Sequence, residues 1–128
     1  NIAGGIVLGT AVDYMNAIGF ENIQAQELAL LEYGTQRLLE IEGLRIFGTS
    51  ENKTSVISFN IDGIHPYDIG TIIDKLGIAV RTGHHCAQPI MNFFEIPGTI
   101  RASFSFYNTK EEIDSLVEAV KKAKMMLS

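Results

Sequence analysis

"TIRASFSFYNTKEEIDSLVEAV", residues 99–120, changes its period halfway along, and that change sets the fold class. In the first half, apolar and polar residues alternate. Ile100, Ala102, Phe104 and Phe106 fall on one face and Thr99, Arg101, Ser103 and Ser105 on the other, the period of a half-buried strand. In the second half, Ile113, Leu116, Val117 and Val120 recur at helical spacing, with Leu127 further on, and Thr109 with Glu112 has the spacing of a capping box.

Working outward, the same two periods recur. "IAVRTG" (78–83) reads as a strand with Ile78 and Val80 on its buried face, so Ala79 and Arg81 point the other way. "HPYDIGTIIDKLG" (65–77) reads as a helix: Pro66 suits its first turn, Ile69, Ile72, Ile73 and Leu76 form a stripe, and Gly77 closes it. "SVISFNID" (55–62) alternates, with Ser55, Ile57, Phe59 and Ile61 on one side, and "LRIFG" (44–48) is a short strand. "ENIQAQELALLEYGTQRLLEIEG" (21–43) is a longer helix carrying Leu28, Leu31, Leu38 and Leu39, with Gly43 as its stop. Residues 6–18 are helical despite Gly9, and Gly19 breaks the chain before the next helix. The expected fold class is α/β: a small two-layer sandwich whose short mixed or antiparallel sheet is covered by helices on one face. The expected organisation is one unit over residues 1–128, with a lead-in helix in 1–20 and the sandwich in 21–128.

At 128 residues the chain has room for one ordinary domain, and 46% hydrophobic with 20% charged residues describes a globular rather than a disordered chain. A net charge of −5 argues against a nucleic-acid partner, and no apolar run approaches membrane-spanning length. A single cysteine forms no internal disulfide, which fits a reducing, cytoplasmic setting. The chain opens on Asn1 rather than methionine, as a piece of a longer protein would.

That cysteine, Cys86, sits in "RTGHHCAQP" (81–89), a polar loop between two strands. Arg81 and Arg101 leave the core faces of those strands and bracket the loop. Arginine suits bidentate capture of a carboxylate, and a thiol near cations ionises more readily to its nucleophilic form. The arrangement suits attack by sulfur on a small anionic substrate. A lone cysteine is more commonly a buried small hydrophobe, and a surface arginine is commonly half of an ion pair. The polar loop favours reactivity. His84 and His85 would face opposite sides of an extended chain, so at most one of them assists Cys86. Zinc is disfavoured, because His65, His84, His85 and Cys86 show no CxxC or HxxxH spacing. "GGIVLG" (4–9) lacks the spacing and preceding strand of a phosphate loop.

The run "RTGHHCAQPIMNFFEIPGTIRASFSFYNTKEEIDSLVEAV" (81–120) resembles the C-terminal segment of SufS-type cysteine desulfurases, which also act as selenocysteine lyases and belong to the class V aminotransferase-like, pyridoxal-phosphate-dependent enzymes. The R-x-G-H-H-C-A-x-P string followed by R-A-S points to the subgroup with a short cysteine loop. The resemblance implies that Cys86 takes the sulfur of L-cysteine as a persulfide and leaves alanine, that this sulfur then passes to an acceptor protein, and that L-selenocysteine can stand in for L-cysteine as substrate. It implies that Arg101 binds the substrate carboxylate, that Arg81 lies near the cysteine, and that His85 supports the loop or handles protons. It also implies a homodimer whose large domain, upstream of this chain, holds pyridoxal phosphate on a lysine. The six lysines here (Lys53, Lys75, Lys110, Lys121, Lys122 and Lys124) are not in the family's cofactor-lysine setting. The chain is therefore expected to lack cofactor binding and turnover on its own. Two other readings are a free-standing carboxylate-binding module and a persulfide carrier.

Overall fold

The strand at the centre of the molecule is Val56–Ile61 (β2), and its alternation decides where the core lies. Ile57 and Phe59 are fully buried and Ile61 nearly so, while the residues between them face the opposite side of the sheet. A computed structural model describes residues 1–128. In chain order the elements are α1 (Ile2–Ile18), α2 (Phe20–Leu39), β1 (Leu44–Phe47), β2, α3 (Pro66–Lys75), β3 (Arg81–Gly83), α4 (Gln88–Phe94), β4 (Thr99–Ser103) and α5 (Lys110–Leu127). The sheet order is β1-β2-β4-β3, and every neighbouring pair is antiparallel. β4 is thus inserted between β2 and the edge strand β3, and it brings Arg101 beside Arg81.

The core forms where α2, α3 and α5 cover one face of this sheet. Leu31 and Leu38 of α2, Ile69 and Ile73 of α3, and Leu116, Val117 and Val120 of α5 meet Ile57, Phe59, Ile61, Ile100 and Ala102. Each large apolar side chain buried there contributes about 1.5–3 kcal/mol relative to exposure. Leu28 and Leu39, expected on the α2 stripe, are exposed, and Leu30 and Ile23 are buried instead. Leu76 and Leu127 likewise lie outside the core, at the ends of their helices where the apolar layer stops. The capping box at Thr109 forms as read, with both hydrogen bonds to Glu112 present. Asp114 of α5 accepts from Tyr33 Oη at 2.9 Å and from Arg37 Nε at 2.8 Å, tying α5 to α2 across their exposed seam.

Four expectations are corrected. The strand expected over 78–83 is regular only at Arg81–Gly83, because Ile78 N is drawn into the C-terminal hydrogen bonding of α3 at Ile73 O. A cleft of about 480 Å³ then separates residues 78–80 from Ala102–Phe104. The strand expected over 99–106 ends at Ser103. Phe104 N still bonds Ser55 O at 2.8 Å, but Asn108 Oδ1 then accepts from Ser105 N at 2.8 Å and turns the chain into α5. Helices do not cover one face alone: α4, read from sequence as loop, lies against the second face with Phe94 edge-on to Phe47 at 5.2 Å. The first helix starts four residues earlier than expected, at Ile2, capped by the Asn1 side chain on Gly4 N.

α1 turns away from α2 by 78° at Gly19 and has no buried residue. Ile2, Ile6, Val7 and Leu8 are all exposed. No single helix is long and apolar enough to cross a membrane.

Candidate active site

The second face of the sheet carries one row of side chains, set by register. Phe47 lies opposite Ser58, Ser58 opposite Arg101, and Arg101 opposite Arg81. Directly paired residues hold their Cβ atoms about 4.5–5.5 Å apart, and like charges in that position repel. Neither arginine is relieved by an acid. The ion pairs of the chain are Arg37–Glu40, Arg37–Asp114 and Lys121–Glu118, on α2 with its C-cap and on α5. Arg101 Nε is buried without a hydrogen-bond partner. A guanidinium has the geometry to hold two oxygens of one anion, and neither of these two makes an ion pair within this chain.

Cys86 enters from β3. The chain is not extended at the two histidines, contrary to expectation, because His84 to Ala87 form a turn closed by Ala87 N donating to His84 O at 2.9 Å. Both central residues, His85 (φ 55°) and Cys86 (φ 59°), are left-handed, the handedness of a primed turn. Neither is a glycine or asparagine, so each costs about 1–2 kcal/mol relative to right-handed backbone. The turn leaves Cys86 and His84 exposed and directs His85 inward. His85 Nε2 reaches Thr99 O at 3.1 Å and Thr99 Oγ1 at 3.0 Å. Burial holds its imidazole below the usual histidine range, despite the bond to Thr99, and the nearby guanidinium groups of Arg101 and Arg81 add to the shift. His85 is therefore neutral at neutral pH.

A cleft of about 310 Å³ lies between α4 and this face, with His85, Thr99, Ser58 and Arg101 on its sheet side and Met91 and Phe94 on the helix side. The register sets Arg81 beside Arg101, the cleft joins Arg101 to His85, and Cys86 stands on the exposed turn next to His85. Ser58 and Thr99 join them and were not singled out from sequence; the alternation of their strands assigns each to the polar face, but only the register places them beside the arginines. Asn60, another inward polar residue of that face, donates to Gly98 O at 2.8 Å. His65 does not join the group. It caps α3 with Nδ1 accepting from Tyr67 N at 3.2 Å. No three side chains among His, Cys, Asp and Glu converge as metal ligands.

Iodoacetamide should label Cys86 in the folded chain near neutral pH at least as fast as it labels a simple thiol, because the sulfur stands on an exposed turn. Labelling only after unfolding would show a cysteine buried for packing.

A small α/β layer presenting a cysteine turn beside paired arginines has close counterparts. The chain belongs to the aminotransferase class-V family, whose model matches residues 1–116. It is 46% identical over 127 residues to the probable cysteine desulfurase of Xylella fastidiosa strain Temecula1, covering 99% of this chain and 30% of that protein. It superposes with a TM-score of 0.92 and 38% identity on the apo cysteine desulfurase of Thermococcus onnurineus NA1, covering 99% of this chain and 32% of that one. The S-sulfonic acid form of the cysteine desulfurase CsdA from Escherichia coli matches with a TM-score of 0.75 and 35% identity, covering 82% of this chain and 26% of that one. The chain spans about a third of the length of these relatives.

Proposed function

We propose that this chain is the small, sulfur-accepting domain of a cysteine desulfurase of the short-loop type, with Cys86 as acceptor and Arg101 as carboxylate ligand. The observation that carries the reading is the juxtaposition of an exposed cysteine, on a left-handed turn, with two unpaired arginines in cross-strand register. Arg101 lines the cleft, has a buried Nε–H without a partner, and offers its fork to the substrate's α-carboxylate. Arg81, directly opposite, contributes charge to the same anion. Neutral His85 adds no charge to compete for it. With the carboxylate fixed there, the substrate's sulfur is presented toward the exposed turn, and the Cys86 sulfur attacks it. One S–S bond forms and one C–S bond breaks; the carbon keeps the electron pair, takes a proton and leaves as alanine. The same groups would act on L-selenocysteine. Exposure of the turn then allows the persulfide to pass to an acceptor protein.

The carbon left behind needs an electron sink, the role of a pyridoxal ring in enzymes of this kind. The residues of this chain do not make a site for that cofactor. Lys53 donates to Gly48 O, Lys110 lies over the Tyr33 ring, Lys121 pairs with Glu118 and Lys124 donates to Glu42 O. No lysine lines the cleft beside Arg101. The cofactor lysine is thus assigned to the remainder of a longer protein, whose presence the uncovered apolar surface of α1 also supports. Mixed with pyridoxal phosphate, the 128-residue chain should stay colourless, with no lysine trapped by borohydride. A stoichiometric, reducible cofactor band would overturn that assignment.

The whole reading is tested by giving L-cysteine to the full-length protein and weighing the peptide that contains Cys86. A gain of one sulfur atom, with alanine released in equal amount, supports it. Carboxylate binding with no persulfide would mark a binding module, and a persulfide acquired only from a separate donor enzyme would mark a carrier.

A further inference from the structure

The turn that carries Cys86 is fastened to the sheet at one side chain, and the fastening has a chemical direction. Thr99 is on the polar face of β4, yet only 2% of it is exposed, because the His85 ring covers it. A carbonyl oxygen only accepts hydrogen bonds. The 3.1 Å contact between His85 Nε2 and Thr99 O therefore requires the proton on Nε2, with Thr99 Oγ1 at 3.0 Å sharing it. The other ring nitrogen, Nδ1, is buried without a partner. A proton there would be an orphaned donor, and its placement on Nε2 leaves only a lone pair unsatisfied. Gly83 pairs with Thr99 across β3 and β4, so the same residue fixes both the strand that enters the turn and the ring that leaves it.

We propose that Thr99 is a positioning residue for Cys86, acting through His85. Its carbonyl selects the Nε2–H tautomer, and carbonyl and hydroxyl together clamp the ring. The clamp holds His85 and Cys86 in the left-handed turn, so that the sulfur keeps a fixed place relative to the arginine pair. It also leaves the buried His85 Nδ1 as a bare lone pair without a partner. The purpose of the clamp rests on the reading of Cys86 as sulfur acceptor, but the clamp itself is a property of this chain and is measured there.

The probe is the Ala87 amide, whose bond to His84 O closes the turn. In the 128-residue chain, Thr99→Val should speed its hydrogen exchange about fivefold and His85→Phe by more, while the Phe59 amide in the core keeps its rate. Thr99→Ser, which keeps the hydroxyl, should restore it. Nitrogen-15 shifts of His85 should show a protonated Nε2 and a bare Nδ1. In the full-length enzyme, Thr99→Val should lower kcat for L-cysteine with KM little changed, since Arg101 is untouched, and Thr99→Ser should recover it. The proposal fails if Ala87 exchanges at its original rate in both Thr99→Val and His85→Phe, if all amides speed up equally, or if the His85 proton sits on Nδ1. A full-length protein that forms no persulfide would instead sink the desulfurase reading, with the exchange and tautomer results standing.

Discussion

Arg101→Lys in the full-length protein should lower kcat/KM for L-cysteine about a hundredfold while leaving the melting temperature within about 2 °C. The two halves of that result have one origin. Arg101 has no acid partner and no hydrogen bond from its Nε, so the folded chain loses no ion pair and no Nε hydrogen bond when the guanidinium goes. What it loses is a fork. An ammonium carries the same charge but cannot hold two carboxylate oxygens in fixed directions, and loss of a charge-assisted bidentate contact is worth about 2–3 kcal/mol, or some two powers of ten in rate. A marked loss of melting temperature with unchanged kinetics would make Arg101 a structural residue and remove the carboxylate site.

Much of this site was legible as residue types and little of it as geometry. Alternation in residues 99–103 and around Arg81 correctly sent both arginines to the polar face, since a period of two fixes sides without any tertiary information. It could not show that Arg81 and Arg101 are direct neighbours. That depends on β4 inserting between β2 and β3, which is a matter of sheet order. The short edge strand and early end of β4 were missed for a related reason: where a pairing stops is decided by competing partners, Ile73 O for Ile78 and Asn108 for Ser105, that local propensity does not reveal. The seven-residue α4 was missed because "QPIMNFF" is too short to display a helical stripe, and Pro89 reads equally well as a turn residue. The left-handed turn at His85 and Cys86 contradicts the preference of both residue types, and such a conflict between local preference and structure is expected where a site is held in place from outside.

Gly98→Ala should be the most damaging small change near the site, costing about 2–3 kcal/mol and about 10 °C in melting temperature. A Cβ built on Gly98 would lie 2.9 Å from Gly83 O, 3.0 Å from Gly83 C and 3.1 Å from Gly83 Cα. These are all backbone atoms of β3, so no side chain can rotate aside to make room. The strand end must move, and with it the Gly83–Thr99 pair and the bond from Asn60 Nδ2 to Gly98 O at 2.8 Å. Because Gly83 leads straight into His84 and the turn, the damage should reach Cys86, and iodoacetamide labelling of the variant should depart from the original rate even at temperatures where the core stays folded. The same chemical change at Gly9 gives the opposite sign. Gly9 lies inside α1 with nothing within 4 Å of its would-be Cβ, so Gly9→Ala should only remove backbone freedom and favour the helix by about 0.5–1 kcal/mol. Its Cys86 labelling should be unchanged. If Gly98→Ala were as harmless as Gly9→Ala, β3 and β4 would not be in close contact there, and Thr99 would lose the rigid setting from which it holds His85.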